Sequence, residues 1–408
     1  MQTINNKLYL GGVSAEELIE DYKSPLYVYE ENTISERFQT LHDAIPYPHK
    51  RILFAIKSNP NLSVAKLLQS KNCGVDTVSP GEIELAIRAG FKAEDIVFTG
   101  NNMTDEEMDF AVQKNVLLNI DSLFRLEKFG KKYPGKAVCI RVNPNVVAGH
   151  HEHVITAGPK SKFGINYDQI NQAKEIIQKY NLNLIGVHSH IGSGILDPEK
   201  FLLAMEVTLD IAKQFDSLEF VDFGGGIGVP YKPEEKAIDL KEFGKKISDY
   251  FESFCEEYGK KLTLIIEPGR FLVAESGFLL TTVNTLKNNG DRKFAGTDSG
   301  FNQLIRPTMY GSYHPIYNAS NMDGEKELVD VCGNICESGD LFAREREIPK
   351  ISDGDILAIS HAGAYGFAMA SSYNSRPLPA EVAVKDGKSK LVRKRQTIED
   401  LLSAYNIK

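Results

Sequence analysis

The sequence contains no stretch of the ~18 to 20 consecutive apolar residues that a membrane-spanning helix requires. It also has no excess of basic residues. With 47 Lys and Arg against 55 Asp and Glu, the net charge is −8 and the pI is near 5.7. A nucleic-acid binder needs a basic face, so nucleic acid is not an expected partner. The start, MQTINNKLYLGG, lacks the basic head and apolar middle of a secretion signal. Cysteine is sparse and odd in number: Cys73, Cys139, Cys255, Cys332 and Cys336. That count suggests reduced thiols in a cytoplasm rather than a disulfide framework. Cys332 and Cys336 have no second cysteine or histidine cluster at zinc spacing, so no metal site is expected.

What is present describes a large soluble enzyme-sized chain. Its 408 residues are 42% hydrophobic and 25% charged, too many for one ordinary core, so two domains are expected. From residue 51 a β-branched run, a polar loop and an amphipathic helix alternate. The runs are RILFAIK, GVDTVS, DIVFTG, VLLNID, AVCIRV, LIGVHSHI, LEFVDFG and TLIIEPG, which makes eight. Eight strand–helix units are the pattern of a (β/α)8 TIM-like barrel, α/β in class, whose strand C-termini form the active face. A doubly wound open sheet is the competitor, usually with fewer units and no closure. After about residue 275 the helical periodicity stops, and FLLTTVNTLK, RKFAGTDS, LVDVCGN and DILAISHAG read as strands. EVAVKDGKSKLVRKRQ reads as a hairpin turning at Asp386-Gly387. The expected division is a barrel over 31–275 and an all-β domain, sandwich-like or Greek-key-like, over 276–408. The strand-like PLYVYE near the N-terminus assigns 1–30 to that β domain as well.

Unusual residues gather at the ends of the barrel runs. Lys57 stops an apolar run in FAIKSNPN, Glu267 stops another in IIEPGR, and FGGGIG follows a third. Asp76 and Arg141 also fall at run ends, where they would brace the site. Lys57 alone is more often a snorkelling surface residue; at a barrel mouth it could be a desolvated amine poised for Schiff-base chemistry. Gly225 and Gly226 let backbone N–H groups approach an anion, and Gly192 and Ser193 of HSHIGSG could add donors. His190 could stack on an aromatic ring. A carboxylate ending an apolar strand needs a cation, and a pyridinium nitrogen would pair with Glu267. Aldehyde, phosphate and ring nitrogen are each accounted for, so the set fits pyridoxal 5′-phosphate.

FAIKSNPN, HSHIGSG, DFGGGIG, EPGR, LIRPTMYGSYH, CESGD and GAYG together resemble the diaminopimelate decarboxylases, in the alanine-racemase-like class of pyridoxal phosphate enzymes (fold type III). The likeness runs from about Pro25 to Arg395. It implies decarboxylation of meso-diaminopimelate to L-lysine, the last step of lysine synthesis. It also implies a homodimer whose β domains complete the partner's sites. Lys57 would carry the cofactor, His190 stack on it and Glu267 meet its nitrogen. Ser193, Gly225, Gly226, Gly269 and Arg270 would seat the phosphate. Arg270, Arg306 and Tyr310 would grip the distal carboxylate, Glu337 the distal ammonium, and Tyr365 both cofactor and substrate. Cys336 would return a proton after carbon dioxide leaves. The chain departs from the family's usual pattern with Ser58 after the lysine, DSGFNQ for the usual DAGMND, and Asn334 in GNICES. A related diamino acid, such as carboxynorspermidine or a siderophore intermediate, is the alternative substrate.

Overall fold

A computed structural model describes residues 1–145 and 161–405. The chain divides into two compact units, one of residues 37–230 with 236–272, the other of 1–36, 231–235 and 273–408.

The first unit is a closed barrel. Eight parallel strands run Lys50–Ala55, Gly74–Thr77, Ile96–Phe98, Leu117–Ile120, Ala137–Asn143, Asn183–Ser189, Phe220–Asp222 and Thr263–Ile266. The last pairs with the first, Ile265 opposite Arg51, which closes the ring. A short strand, Ile165–Asn166, adds to the edge of Ala137–Asn143. Most barrel helices begin at a residue whose side chain accepts from their first free amides. Asn61, Ser79, Ser122, Asp197 and Asp239 do this, and Thr104 forms a full capping box with Glu107. After Gly74–Thr77 and Leu117–Ile120 the chain passes from strand to capped helix within a few residues, whereas longer loops follow Asn183–Ser189 and Phe220–Asp222. Leu53, Val97, Cys139, Phe220 and Ile265, from five strands, form one buried cluster. Gly186 is required beside it, because a Cβ there would lie 2.1 Å from the Phe220 ring.

The first run ends earlier than its apolar pattern implies. Its strand stops at Ala55, and Ile56–Ser58 is a 3₁₀ turn closed by Asn59 N–H donating to the Ile56 carbonyl. Lys57 therefore sits on a turn beyond the strand.

The second unit is mostly sheet. Leu26–Glu30 lies between Gly277–Asn289, antiparallel, and Ala380–Lys385, parallel. Gly277–Asn289 is long enough to pair Ile356–Ile359 along its first half and Arg292–Thr297 along its second. Lys326–Cys332 and Leu341–Pro349 extend the sheet as an antiparallel pair, and the loop joining them carries Cys336 and Glu337. The 386–387 hairpin has positive φ at both Asp386 (49°) and Gly387 (74°), the turn that suits strand twist. The unit is not purely β. It includes helices Ala15–Tyr22, Arg306–Tyr310 and Ile398–Leu402, and a small separate N-terminal sheet. Ser14 caps the first of these by accepting from Glu17 N–H, a local signal that strand-like flanks obscured.

Candidate active site

Lys57 extends from its turn to Asp76 at the end of the next strand, with Nζ 2.7 Å from Oδ2. The lysine side chain is 32% exposed and Asp76 is fully buried. The amine is thus ion-paired rather than desolvated, a correction to the bare strand-end expectation. Asp76 keeps its other oxygen buried without a hydrogen bond. Burial, then the charge of Glu267, push the Asp76 carboxyl up, and Lys57 opposes both.

Glu267 follows strand Thr263–Ile266 and is 3% exposed. Its Oε2 accepts from His188 Nε2 at 3.1 Å, while Oε1 is buried with no hydrogen-bond partner. Burial alone would raise this carboxyl, but His188, Lys57 and a contact with Asp222 together hold it at about 2. A charged carboxylate with one oxygen free is an acceptor awaiting a cationic donor.

Beside it lie the two glycine segments. Gly225 N–H donates to His190 Nδ1 at 3.2 Å, so the imidazole hydrogen belongs on Nε2. Burial, reinforced by Arg141 and Lys57, pushes His190 well below the usual histidine value and keeps the ring neutral. Ile195 and Ile227 stitch the segments together as an isolated bridge, with Ile195 N–H donating to Gly226 O at 2.9 Å. A Cβ on Gly225 would sit 2.1 Å from the Glu267 carbonyl oxygen, and one on Gly226, at φ +117°, 2.7 Å from Gly192 O. Both positions need glycine. Arg270 is buried and donates through Nε and Nη2 to Ser193 Oγ, each at 3.1 Å. Gly269 packs on Ser58, whose hydroxyl donates to Ala55 O at 2.8 Å, so the Ser58 departure is satisfied internally.

The sheet unit holds the remaining residues. Arg306 is 2% exposed, lies 4.8 Å over the Tyr231 ring, and donates from Nη1 to His314 Nε2 at 3.0 Å. His314 Nδ1 donates to Ser360 O at 2.9 Å, which fixes its tautomer and leaves Nε2 as the acceptor. Tyr310 ends the same short helix. Tyr365 adopts φ +57°, a conformation that tyrosine rarely holds without cause. Cys336 and Glu337 are exposed, and Cys336 is the one exposed cysteine of the five. Their loop is built by Asp340, which accepts from Phe301 N–H at 2.6 Å and Ile335 N–H at 2.7 Å. Cys336 N–H donates to Asn374 Oδ1 at 2.9 Å. Asn334 donates its side-chain amide to Asp298 O at 2.8 Å and its backbone N–H to Ser299 O at 2.9 Å. Proline could make neither contact.

Residues 31–274 match the family described as pyridoxal-dependent decarboxylase, pyridoxal binding domain. The chain is 47% identical to the diaminopimelate decarboxylase of Methanothermobacter thermautotrophicus, across 99% of its own length and 97% of that protein. It is 36% identical to the enzyme of the same name from Escherichia coli K12, across 96% of each. The chain belongs to the diaminopimelate decarboxylase family. Solved structures agree with this. The Helicobacter pylori diaminopimelate decarboxylase complexed with L-lysine superposes with a TM-score of 0.88 at 36% identity, over 95% of this chain and 98% of that one. The M. jannaschii enzyme in co-complex with L-lysine gives 0.91 at 33% identity, over 100% and 97%.

For a diaminopimelate decarboxylase family member, the barrel gathers most of the expected cofactor residues at the strand ends: Lys57, His190, Ser193, Gly225, Gly226, Glu267, Gly269 and Arg270. Arg306, Tyr310, Cys336, Glu337 and Tyr365 all lie in the sheet unit. Four neighbours carry polar contacts that the sequence reading passed over: His188, Asp222, Tyr231 and His314. His188 and His314 were visible as the first histidine of HSHIGSG and the last residue of LIRPTMYGSYH. Among the described residues, no helix is long and apolar enough to cross a membrane.

Proposed function

We propose that this chain decarboxylates meso-diaminopimelate to L-lysine and carbon dioxide, the last step of lysine synthesis, with pyridoxal 5′-phosphate as cofactor. The observation that carries the reading is Glu267: a buried, charged carboxylate pinned by His188, with Oε1 unpartnered. It stands beside a lysine and a cradle where only glycine fits. These residues match in kind the cofactor's aldehyde, phosphate and ring nitrogen. The relatives' names and the L-lysine in their structures favour this substrate and product.

Bound there, pyridoxal phosphate supplies the electron sink into which the bond to the departing carboxylate breaks. Lys57, whose amine now meets Asp76, would hold the cofactor through that amine. His190, neutral, stacks on the ring. Ser193, Gly225, Gly226, Gly269 and Arg270 seat the phosphate through backbone and side-chain donors. Glu267 Oε1 accepts from the ring nitrogen and keeps it charged. Arg270, Arg306 and Tyr310 bind the distal carboxylate, Glu337 the distal ammonium, and Tyr365 touches cofactor and substrate. Reading the distal centre orients the centre that is cleaved. Cys336 gives a proton to the carbon that has lost carbon dioxide.

Residues 31–275 act in this scheme as the cofactor-binding barrel, and 1–30 with 276–408 as the unit that brings Cys336 and Glu337. Two chains form a two-fold dimer in which each sheet unit completes the partner's site. The setting is cytoplasmic. The test is direct: protein loaded with pyridoxal phosphate is given meso-diaminopimelate, and carbon dioxide and lysine are measured. Equimolar release is expected. Much faster turnover of carboxynorspermidine or a citryl-diamino acid would move the substrate to that class.

A further inference from the structure

Beside Glu267 stand two buried groups to which the scheme above gives little or no work. His188, Asp222 and Glu267 come from three neighbouring strands, with His188 in register opposite Asp222. Their polar atoms all lie within 4.8 Å of one another, and the residues are 1%, 1% and 3% exposed. Two carboxylates this close and this dry repel strongly, which favours a proton on one of them. The donors around each decide which. A carboxylate can only accept, so His188 Nε2 directs its hydrogen to Glu267 Oε2. Asp222 receives one amide, Gly224 N–H on Oδ1 at 2.8 Å, which leaves Oδ2 for the proton. Lys57 also pulls Glu267 toward the charged form. Burial pushes the Asp222 carboxyl well above the usual range, and the charge of Glu267, with a smaller contribution from Asp76, acts in the same direction. Cys139, Arg141 and His190 complete the titratable neighbours; Cys139 is raised by its own burial, His190 is held neutral, and Arg141 bears on Glu267 and Asp76.

We propose that Asp222 is a neutral carboxylic acid that donates its hydrogen to Glu267 and, with His188, fixes Glu267 as a charged acceptor with Oε1 turned to the ring nitrogen. Asp222 is a positioning residue: it touches Glu267 and not the reacting atoms. Only the last clause rests on the proposed function, because the protonation of Asp222 is a property of the unloaded protein too. The arrangement also explains why an acid stands where a donor is needed. Asparagine would present the same pattern, Oδ1 accepting from Gly224 and Nδ2 donating to Glu267, whereas leucine matches the shape and can do neither.

The experiment compares infrared spectra of the wild-type protein and Asp222→Asn, unloaded and loaded with pyridoxal phosphate, at neutral pH. The difference spectrum, wild type minus Asp222→Asn, should show the carbonyl stretch of one protonated carboxylic acid. Asp222→Asn should hold cofactor affinity within about threefold, while Asp222→Leu should weaken it by about tenfold or more, the scale of losing one hydrogen bond to a charged group. Because burial pushes Glu82 up to about 7 and it can carry a proton as well, the deciding reading is the difference: no acid band lost on Asp222→Asn overturns the inference. So does a stoichiometric divalent ion found in the purified protein, since an ion at these three groups would require both carboxylates ionised. If the unloaded protein shows the Asp222 band yet binds no pyridoxal phosphate, the cofactor reading fails and Asp222's protonation stands.

Discussion

Lys57 and Glu267 mark the two ends of the proposed cofactor, and each can be tested singly. Borohydride reduction of the loaded protein should fix pyridoxal on one peptide, that of Lys57. Capture on any other lysine would displace Lys57 from its role. Glu267→Gln retains the shape but loses the charge that would hold the ring nitrogen protonated. Turnover of meso-diaminopimelate should fall at least ~10²-fold, the scale of removing one preorganised charge contact worth a few kcal/mol. A rate equal to wild type would mean that the sink is not built on Glu267. Arg306 offers a separate prediction. Its buried guanidinium donates to His314, whose other nitrogen is anchored on Ser360. His314→Phe removes one acceptor of this charged donor, a loss of ~1.5–3 kcal/mol, so KM for meso-diaminopimelate should rise about tenfold or more with a smaller change in kcat. An unchanged KM would remove Arg306 from the substrate site.

At the scale of elements, alternation and caps made the barrel legible. Most runs of β-branched residues are followed by a helix with its own starting signal, and eight such runs leave few alternatives to closure. Where each strand stops was not legible. The apolar pattern continues through Ile56, but the chain turns there because Asn59 N–H finds the Ile56 carbonyl and not a neighbouring strand. In the sheet unit, strand-like runs located several strands but not Leu341–Pro349 or the small N-terminal sheet, and the helix at Ala15–Tyr22 went unseen because its eight residues are too few to show a period. The polar contacts of the site were legible only in part. Glycine runs and a strand-ending carboxylate announce themselves in sequence, whereas His188 reaches Glu267 across 79 positions, a pairing that only closure of the barrel creates.

Helix packing on the barrel gives a stability test at this same scale. Leu240–Tyr258 brings Gly244 so close to the C-terminal end of the helix Glu31–Ala44 that an added Cβ would lie 1.9 Å from the Ala44 carbonyl oxygen. Backbone cannot yield there as a flexible side chain would. Gly244→Ala should destabilise by ~1–3 kcal/mol or more, read as a lower urea midpoint. At the N-terminus of the same helix, Asp239 accepts from Lys241 and Glu242 N–H, both at 3.0 Å, and Asp239→Ala should cost about 1 kcal/mol. A Gly244→Ala protein as stable as wild type would contradict the close packing.

For the whole molecule, the proposed chemistry is divided. The lysine, the phosphate cradle and Glu267 belong to the barrel, whereas Cys336 and Glu337 sit on an exposed loop of the sheet unit. An exposed thiol and carboxylate held in place by Asp340 and Asn374 are suited to meeting another surface. In the two-fold dimer proposed above, that surface would be the partner's barrel, and every site would draw residues from both chains. Lys57→Ala and Cys336→Ala homodimers should each be nearly inactive. In a mixed dimer, one site collects both lesions and the other collects neither. Randomly paired chains should therefore release lysine from meso-diaminopimelate at up to about a quarter of the wild-type rate, since half the dimers are mixed and each has one intact site. No recovery, in a preparation shown to contain mixed dimers, would contradict a site shared between two chains.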